Sequence, residues 1–332
     1  MSTAPVLVRP PRAAALRGIA RWSALAAVPL LLLWLVLAPA NALKALWYVA
    51  IPTLPATFLL STAIWRGVCP LATLNEMGNR LGNQRVPSPR MLRALSVGGL
   101  VLFHLMVPAR HFVFNQNGPV LAGTVAAVGG LALVLGARFT VRSAFCNALC
   151  PVLPVELLYG QAPLVRVDRG RCSTCTACTP RGCLDLAEQR AIPQLLGPSR
   201  RTARWLATPY GAFFAALPGF VIGYNQVKDG PLGSAAMVYA MTLGGSLTSF
   251  LVIGVAVLAL RPHSRLVLPL IAAAAGGIYY WYAGPAIMSQ LAVGEWLGSG
   301  VRIVGIGLVA SWWVQTLTGS DLGAAAADSN GV

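Results

Sequence analysis

AAMVYAMTLGGSLTSFLVIGVAVLAL, residues 235–260, runs for 26 residues without an Asp, Glu, Lys or Arg. A helix apolar on every side needs an apolar surround, and about 20 such residues span the hydrocarbon core of a bilayer. The rest of the chain reads the same way. Of its 332 residues 56% are hydrophobic and only 10% charged, where a soluble domain carries about 25% charged residues. Comparable runs lie at roughly 23–40, 45–64, 94–113, 118–137, 207–225, 265–283 and 301–318. The expected fold is an all-α polytopic membrane protein of about eight transmembrane helices, bathed in membrane lipid, with both termini on one side.

The net charge is +16, and its distribution decides what it means. Twenty-one of the 25 Lys and Arg residues fall in the N-terminal tail, the 65–93 loop, the 138–206 loop and the 261–265 turn. The other face holds four: Lys44, Arg110, Lys228 and Arg302. By the positive-inside rule the first set faces the cytoplasm of a bacterial-type inner membrane, so the basic charge sets orientation and nucleic acid is not an expected partner. Residues 24–42 could also be read as a signal peptide with an Ala40–Ala42 cleavage site, but the long basic stretch before them favours a retained helix.

All seven cysteines lie in the cytoplasmic loops. A reducing compartment disfavours disulfides, and an odd count argues the same way, so the cysteines are expected to bind metal or act in redox chemistry. Four fall in RCSTCTACTPRGC, residues 171–183: Cys172, Cys175, Cys178 and Cys183. Structural zinc sites use two separated Cys pairs. Three cysteines in unbroken Cys-x2-Cys-x2-Cys spacing instead suit a loop wrapped around a [4Fe-4S] cubane, as in bacterial ferredoxins. The ferredoxin run ends in x3-Cys-Pro; here the last step is x4 and Leu184 follows.

The missing Cys-Pro occurs twice elsewhere. IWRGVCPLATLNEMGNR (64–80) follows the second span and AFCNALCPVLPVELLYG (144–160) follows the fourth. Aligning Cys69 with Cys150 also aligns Pro70 with Pro151, Leu71 with Val152 and Leu74 with Val155. The chain reads as a duplication of two spans and a Cys-Pro turn. The second copy is a full Cys-x3-Cys-Pro from Cys146; in the first, Trp65 stands at the matching position. Proline after each cysteine suits the first turn of a helix.

With FCNALCPVLPVELL followed by CSTCTACTPRGC after paired membrane helices, residues 45–190 resemble the polytopic membrane ferredoxins of the NapH, NosR and CcoG type. The resemblance implies cytoplasmic [4Fe-4S] clusters, Cys-x3-Cys-Pro motifs at helix ends, and electron transfer between quinone or a cytoplasmic donor and a redox partner protein or subunit. This chain departs in having one complete Cys-x3-Cys-Pro, one Cys-x2-Cys-x2-Cys, and four further spans. One cubane takes four thiolates and two take eight, against seven present. One cluster is expected on Cys172, Cys175 and Cys178, closed by Cys183 or Cys150. A second would draw on Cys69, Cys146 and whichever of Cys150 and Cys183 is spare.

His104 and His111 share a face of the third span, and an intramembrane histidine is a functional candidate. Helix-to-helix hydrogen bonding is the leading expectation and quinone contact the next. Haem is disfavoured because His263, the remaining histidine, lies on the other side. Arg166, Arg169, Arg171 and Arg181 flank the string, either as orientation charges or to offset thiolate charge. YYWY (279–282) and WW (312–313) are expected in interfacial belts. No Walker loop, HExxH or GxSxG motif is present, which favours an electron-transfer subunit over a self-contained enzyme. A reductase of metalloenzyme maturation, or a redox-sensing or structural membrane subunit, is the alternative. The expected organisation is a four-span region (1–137), a ferredoxin-like iron–sulfur segment (138–206), a second four-span region (207–318) and a disordered tail (319–332).

Overall fold

The computed structural model describes residues 6–7, 11–82, 85–140, 143–167, 192, 195–196, 202–291 and 294–329. The expected ferredoxin-like insert, with Cys172, Cys175, Cys178 and Cys183 and the flanking Arg169, Arg171 and Arg181, lies outside the described residues.

The first half is two helical hairpins. α1 (Pro11–Leu37) and α2 (Pro39–Ala45) lead through a π-helical turn, Leu46–Ala50, into α3 (Ile51–Val68), which is followed by α4 (Pro70–Leu81). α5 (Pro89–Ala109) ends in a second π-helical turn, Arg110–Phe114, and α6 (Gly118–Arg138) returns. A third such turn, Phe145–Leu149, leads to the short α7 (Leu153–Tyr159). The second half is α8 (Pro209–Asn225), α9 (Ala235–Leu260), α10 (Ser264–Leu291) and α11 (Glu295–Ser329). Polar caps fix the starts: Ser88, Asn117 and Thr208 accept from the N–H of Met91, Val120 and Gly211. Each satisfies an orphan donor of a first turn. α11 continues to Ser329, into the segment expected to be a disordered tail; Ala324–Ala327 favours helix there.

Among the described residues seven stretches are long and apolar enough to cross a membrane: Gly18–Leu37, Pro39–Leu81, Pro89–Phe114, Gly118–Arg138, Leu232–Leu260, Ser264–Leu291 and Glu295–Thr318. The eighth expected span is α8, which at 17 residues is shorter than these. It lies alongside α5 and runs in the same direction. Tyr210 meets Ser96 near the start of α5, Phe213 and Phe220 meet Phe103 midway, and the Tyr224 ring lies tilted against His111 beyond its end. α8 therefore covers the same depth as the middle of α5.

The core lies between the halves, where Phe58, Leu59, Leu158, Trp205, Phe214 and Trp312 are sealed from solvent. The expected aromatic belts are corrected at two positions only, since Trp281 is exposed and Tyr279, Tyr282 and Trp313 are partly so. Tyr280 and Trp312 are buried, with the Tyr280 hydroxyl donating to the carbonyl of Pro52 (3.2 Å) and Trp312 Nε1 to that of Tyr159 (2.9 Å). An aromatic with a polar tip suits a dry interior whenever that tip finds a partner, and local sequence does not reveal the partner.

Small residues set how closely helices approach. A Cβ on Gly219 of α8 would land on the carbonyl of Gly245 in α9, and one on Gly245 would land on that of Gly219. This is the small-residue packing used where lipid gives helices little apolar reason to associate. Gly219→Val should therefore lower the thermal midpoint of the detergent-solubilised protein, at a cost of about 1–3 kcal/mol. Gly244→Val, whose Cβ meets nothing within 4 Å, should leave it unchanged.

Candidate functional site

The two Cys-Pro turns are conformational copies. Cys69 ends α3 with φ −57°, ψ 123°, its N–H donating to the Trp65 carbonyl (2.9 Å) and its own carbonyl accepting from Thr73 (3.0 Å). Cys150 has φ −59°, ψ 121°, with its N–H on the Phe145 carbonyl (2.9 Å) and its carbonyl accepting from Leu153 (3.1 Å). Proline forces the preceding residue out of helical geometry and then opens a new helix without wasting a donor. The repeat read from sequence is thus present in the backbone of both turns. They differ in approach, since α3 runs directly into Cys69 whereas α6 ends at Arg138, well before Cys150.

Cys69, Cys146 and Cys150 are all partly exposed. Cys150 also packs against the main core, and that burial, reinforced by Cys69 and Glu156, pushes its thiol up to about 12. Cys69 and Cys150 are thus near enough to feel each other's charge. Cys146 sits in the Phe145–Leu149 turn. Among the described residues no group of three or more His, Cys, Asp or Glu is gathered closely enough to hold a metal ion.

A buried ion pair joins the two turns. Arg66, three residues before Cys69, bonds Glu156 of α7 through Nε–Oε1 at 2.5 Å and Nη2–Oε2 at 3.0 Å, while Nη1 donates to Asn147 Oδ1 at 2.9 Å. Both charged side chains are almost sealed, at 6% and 7% exposure. Arg66 and Asn147 occupy equivalent positions of the repeat, so the contact lies on the symmetry relation between the copies. α4 is tied in turn to α6. Asn75 donates to the Ala132 carbonyl (2.7 Å), and Asn79 to those of Gly136 and Phe139 (both 2.8 Å), satisfying carbonyls at a helix end. On α1, Arg21 pairs with Glu76 and bonds Thr73 Oγ1 at 3.0 Å.

The stem of the string docks at this same end. α3 leaves helical geometry at Ser61 (φ −170°, ψ 114°), and the carbonyls freed there, Leu59 and Leu60, accept from Leu164 (2.9 Å) and Val165 (2.8 Å). Irregular backbone at such depth is tolerated only where protein satisfies it. Arg166–Val167 (β2) then pairs in parallel with Val6–Leu7 (β1), which puts the N-terminal tail and the stem together. From the other half, Gln315 donates to the Pro163 carbonyl at 3.0 Å.

The histidines divide. His104 departs from the expected helix-to-helix bond: its Nδ1 engages the Leu100 carbonyl of its own helix (2.9 Å), because the facing α8 offers only the rings of Phe213 and Phe220. His111 does bond across, its Nδ1 lying 2.6 Å from Asp229 Oδ1 in the α8–α9 connection. Beside it Arg110 donates to the hydroxyls of Tyr224 (2.9 Å) and Tyr48 (3.0 Å). His263 accepts from the Arg265 N–H at 3.2 Å.

Sequence reasoning missed Arg66, Asn147, Glu156 and Asp229 as structural partners. Glu156 alone carried a signal, as a lone acid in an apolar run. No protein-family model, no curated protein and no solved structure matches the chain.

Removing one member of the clasp leaves a buried charge alone. Glu156→Leu should destabilise by about 3–5 kcal/mol in denaturant or thermal unfolding. The double variant Arg66→Met/Glu156→Leu should recover most of that loss. An unchanged midpoint in Glu156→Leu would contradict the role given to the pair.

Proposed function

We propose that this chain is a membrane-bound [4Fe-4S] protein that passes single electrons between quinone or a cytoplasmic donor and a redox partner. The observation that carries the reading is that the two Cys-Pro turns, joined by the Arg66–Glu156 pair, lie at the bundle end where the stem of the cysteine string docks. A cluster bound there supplies the one-electron chemistry.

The chain's own residues bind, position and insulate. Cys172, Cys175 and Cys178 supply three thiolates by spacing, and Cys183 or Cys150 the fourth. Cys150 belongs to a turn whose direction is set by Pro151 and whose neighbour α7 is clamped by Arg66. A thiol whose surroundings raise its pKa ionises more readily beside positive charge, which ligated iron would provide. Arg66 and Glu156 cancel one another, so the turns are held without a net local charge. The crowding of basic residues on the tail, on the 65–93 and 138–206 loops and on the 261–265 turn supports a cytoplasmic position for this end, in a bacterial-type inner membrane.

Anaerobic purification with iron and sulfide analysis tests the reading. About four irons per chain, and an EPR signal after reduction, are expected for one cubane. Cys175→Ser should abolish both. Cys150→Ser and Cys183→Ser compared side by side identify the fourth corner, and Cys69→Ser and Cys146→Ser report on a second cluster. Stoichiometric zinc with no EPR signal would sink the proposal.

A further inference from the structure

At the opposite end of the bundle three buried nitrogen atoms have no hydrogen-bond partner among the described residues: Trp47 Nε1, Arg110 Nε and His111 Nε2. Their side chains belong to one cup. The Arg110 guanidinium lies over the rings of Trp47 (5.2 Å to the centroid), Tyr48 (5.5 Å) and Tyr224 (5.9 Å). The His111 ring lies 4.4 Å from that of Tyr224. Two π-helical turns build the cup, Leu46–Ala50 with Trp47 and Tyr48, and Arg110–Phe114 with Arg110 and His111. Such turns interrupt helices mostly where a function needs it. The cup is also far from the cysteines. Ser96, level with Tyr210, and His111 are 15 residues apart along α5 and its π turn, about 22 Å of helix rise.

The chemistry of the orphan atoms restricts what completes the cup. Trp47 Nε1 and Arg110 Nε are donors only, so they call for an acceptor and exclude a metal cation as their partner. The Tyr48 and Tyr224 hydroxyls accept from Arg110 and keep their own O–H groups to donate. Arg110 forms no ion pair among the described residues; its bonds are to neutral phenols, while Asp229 is taken up by His111 and Asn115. The cup therefore has several donors around one guanidinium charge, with the Asp229 carboxylate near enough to act on that charge; because Asp229 takes the Nδ1 proton, His111 Nε2 adds a donor only when the imidazole is doubly protonated. One water molecule offers two lone pairs and no charge.

We propose that this cup binds a phosphate-type oxyanion, presented by a phospholipid headgroup of the adjacent leaflet or as free phosphate. Non-bridging phosphate oxygens present several acceptors within a compact group, and a phosphodiester's single negative charge matches that of Arg110. Arg110 opens the last turn of the Pro89–Phe114 span, at the level where headgroups meet the ends of helices. The inference does not depend on the iron–sulfur reading.

The full-length protein, purified in detergent and phosphate-free buffer, is extracted with organic solvent and its lipid phosphorus counted. It is then delipidated, and its thermal midpoint is followed on titration with phosphatidylglycerol or with inorganic phosphate. Wild type should retain phospholipid through purification and gain stability on titration with the lipid; a gain with inorganic phosphate alone assigns the same cup to the free anion. Trp47→Phe keeps the ring and removes only the N–H, and should weaken the response roughly tenfold. Arg110→Gln should abolish it. The proposal is overturned if neither ligand moves the wild-type midpoint, if wild type and Trp47→Phe respond equally, or if the retained molecule contains no phosphorus.

Discussion

A guanidinium and a carboxylate, both nearly sealed from solvent, join the exit of the first helical hairpin to the exit of the second. Burying the pair costs each ion several kcal/mol of hydration, and their attraction offsets that cost only when the geometry is good and the remaining protons are satisfied. Arg66 and Glu156 meet both conditions: two parallel bonds join them, and Asn147 takes a third guanidinium proton. Hydrophobic side chains of similar volume would hold the hairpins together as well, but without fixing one relative orientation. The clasp selects that orientation through bond directions, and with it the approach of Cys69 to Cys150.

The pairing of two identical turns follows from proline chemistry as much as from the clasp. Each cysteine precedes a proline that drives it to ψ near +120°, so both leave their preceding turn in the same direction. The copies differ in their side chains. At the place of Cys146 the first copy has Trp65, whose ring packs edge-on against Phe58 at 5.7 Å. A position that offers a thiol in one copy serves packing in the other. The likeness of the copies therefore lies in the backbone of the turns, while the side-chain chemistry around them is one-sided.

Much of the fold was legible because the bilayer makes local demands. Residues 118–137 and 235–260 satisfy their backbone internally and expose apolar side chains, and helices occupy almost the same ranges. The Cys-Pro turns were legible because proline acts on its immediate neighbour. What stayed hidden depends on partners distant in sequence. Arg66 read as one of many orientation charges, yet it is buried against Glu156, 90 residues away. Trp312 read as an interfacial aromatic until its indole N–H met the carbonyl of Tyr159. Asp229 sits in a Lys-Asp-Gly turn of ordinary appearance, and nothing in that turn announces His111.

The two polar ends differ in kind, and their difference bears on what each can do. At the cysteine end two arginines are matched, Arg66 with Glu156 and Arg21 with Glu76, and these pairs lock geometry. At the other end Arg110 is bonded to phenols, leaving its Nε donor without a partner among the described residues. Between them α5 and α8 run parallel, packed through Phe103, His104, Phe213 and Phe220. Interlocking aromatic rings resist sliding, because offset and edge-on contacts lose their attraction when the register shifts. The two helices thus run side by side from one polar end to the other. A ligand held at the Arg110 cup would brace the far end of the same helix pair whose near end carries Tyr210, beside the Cys150 turn.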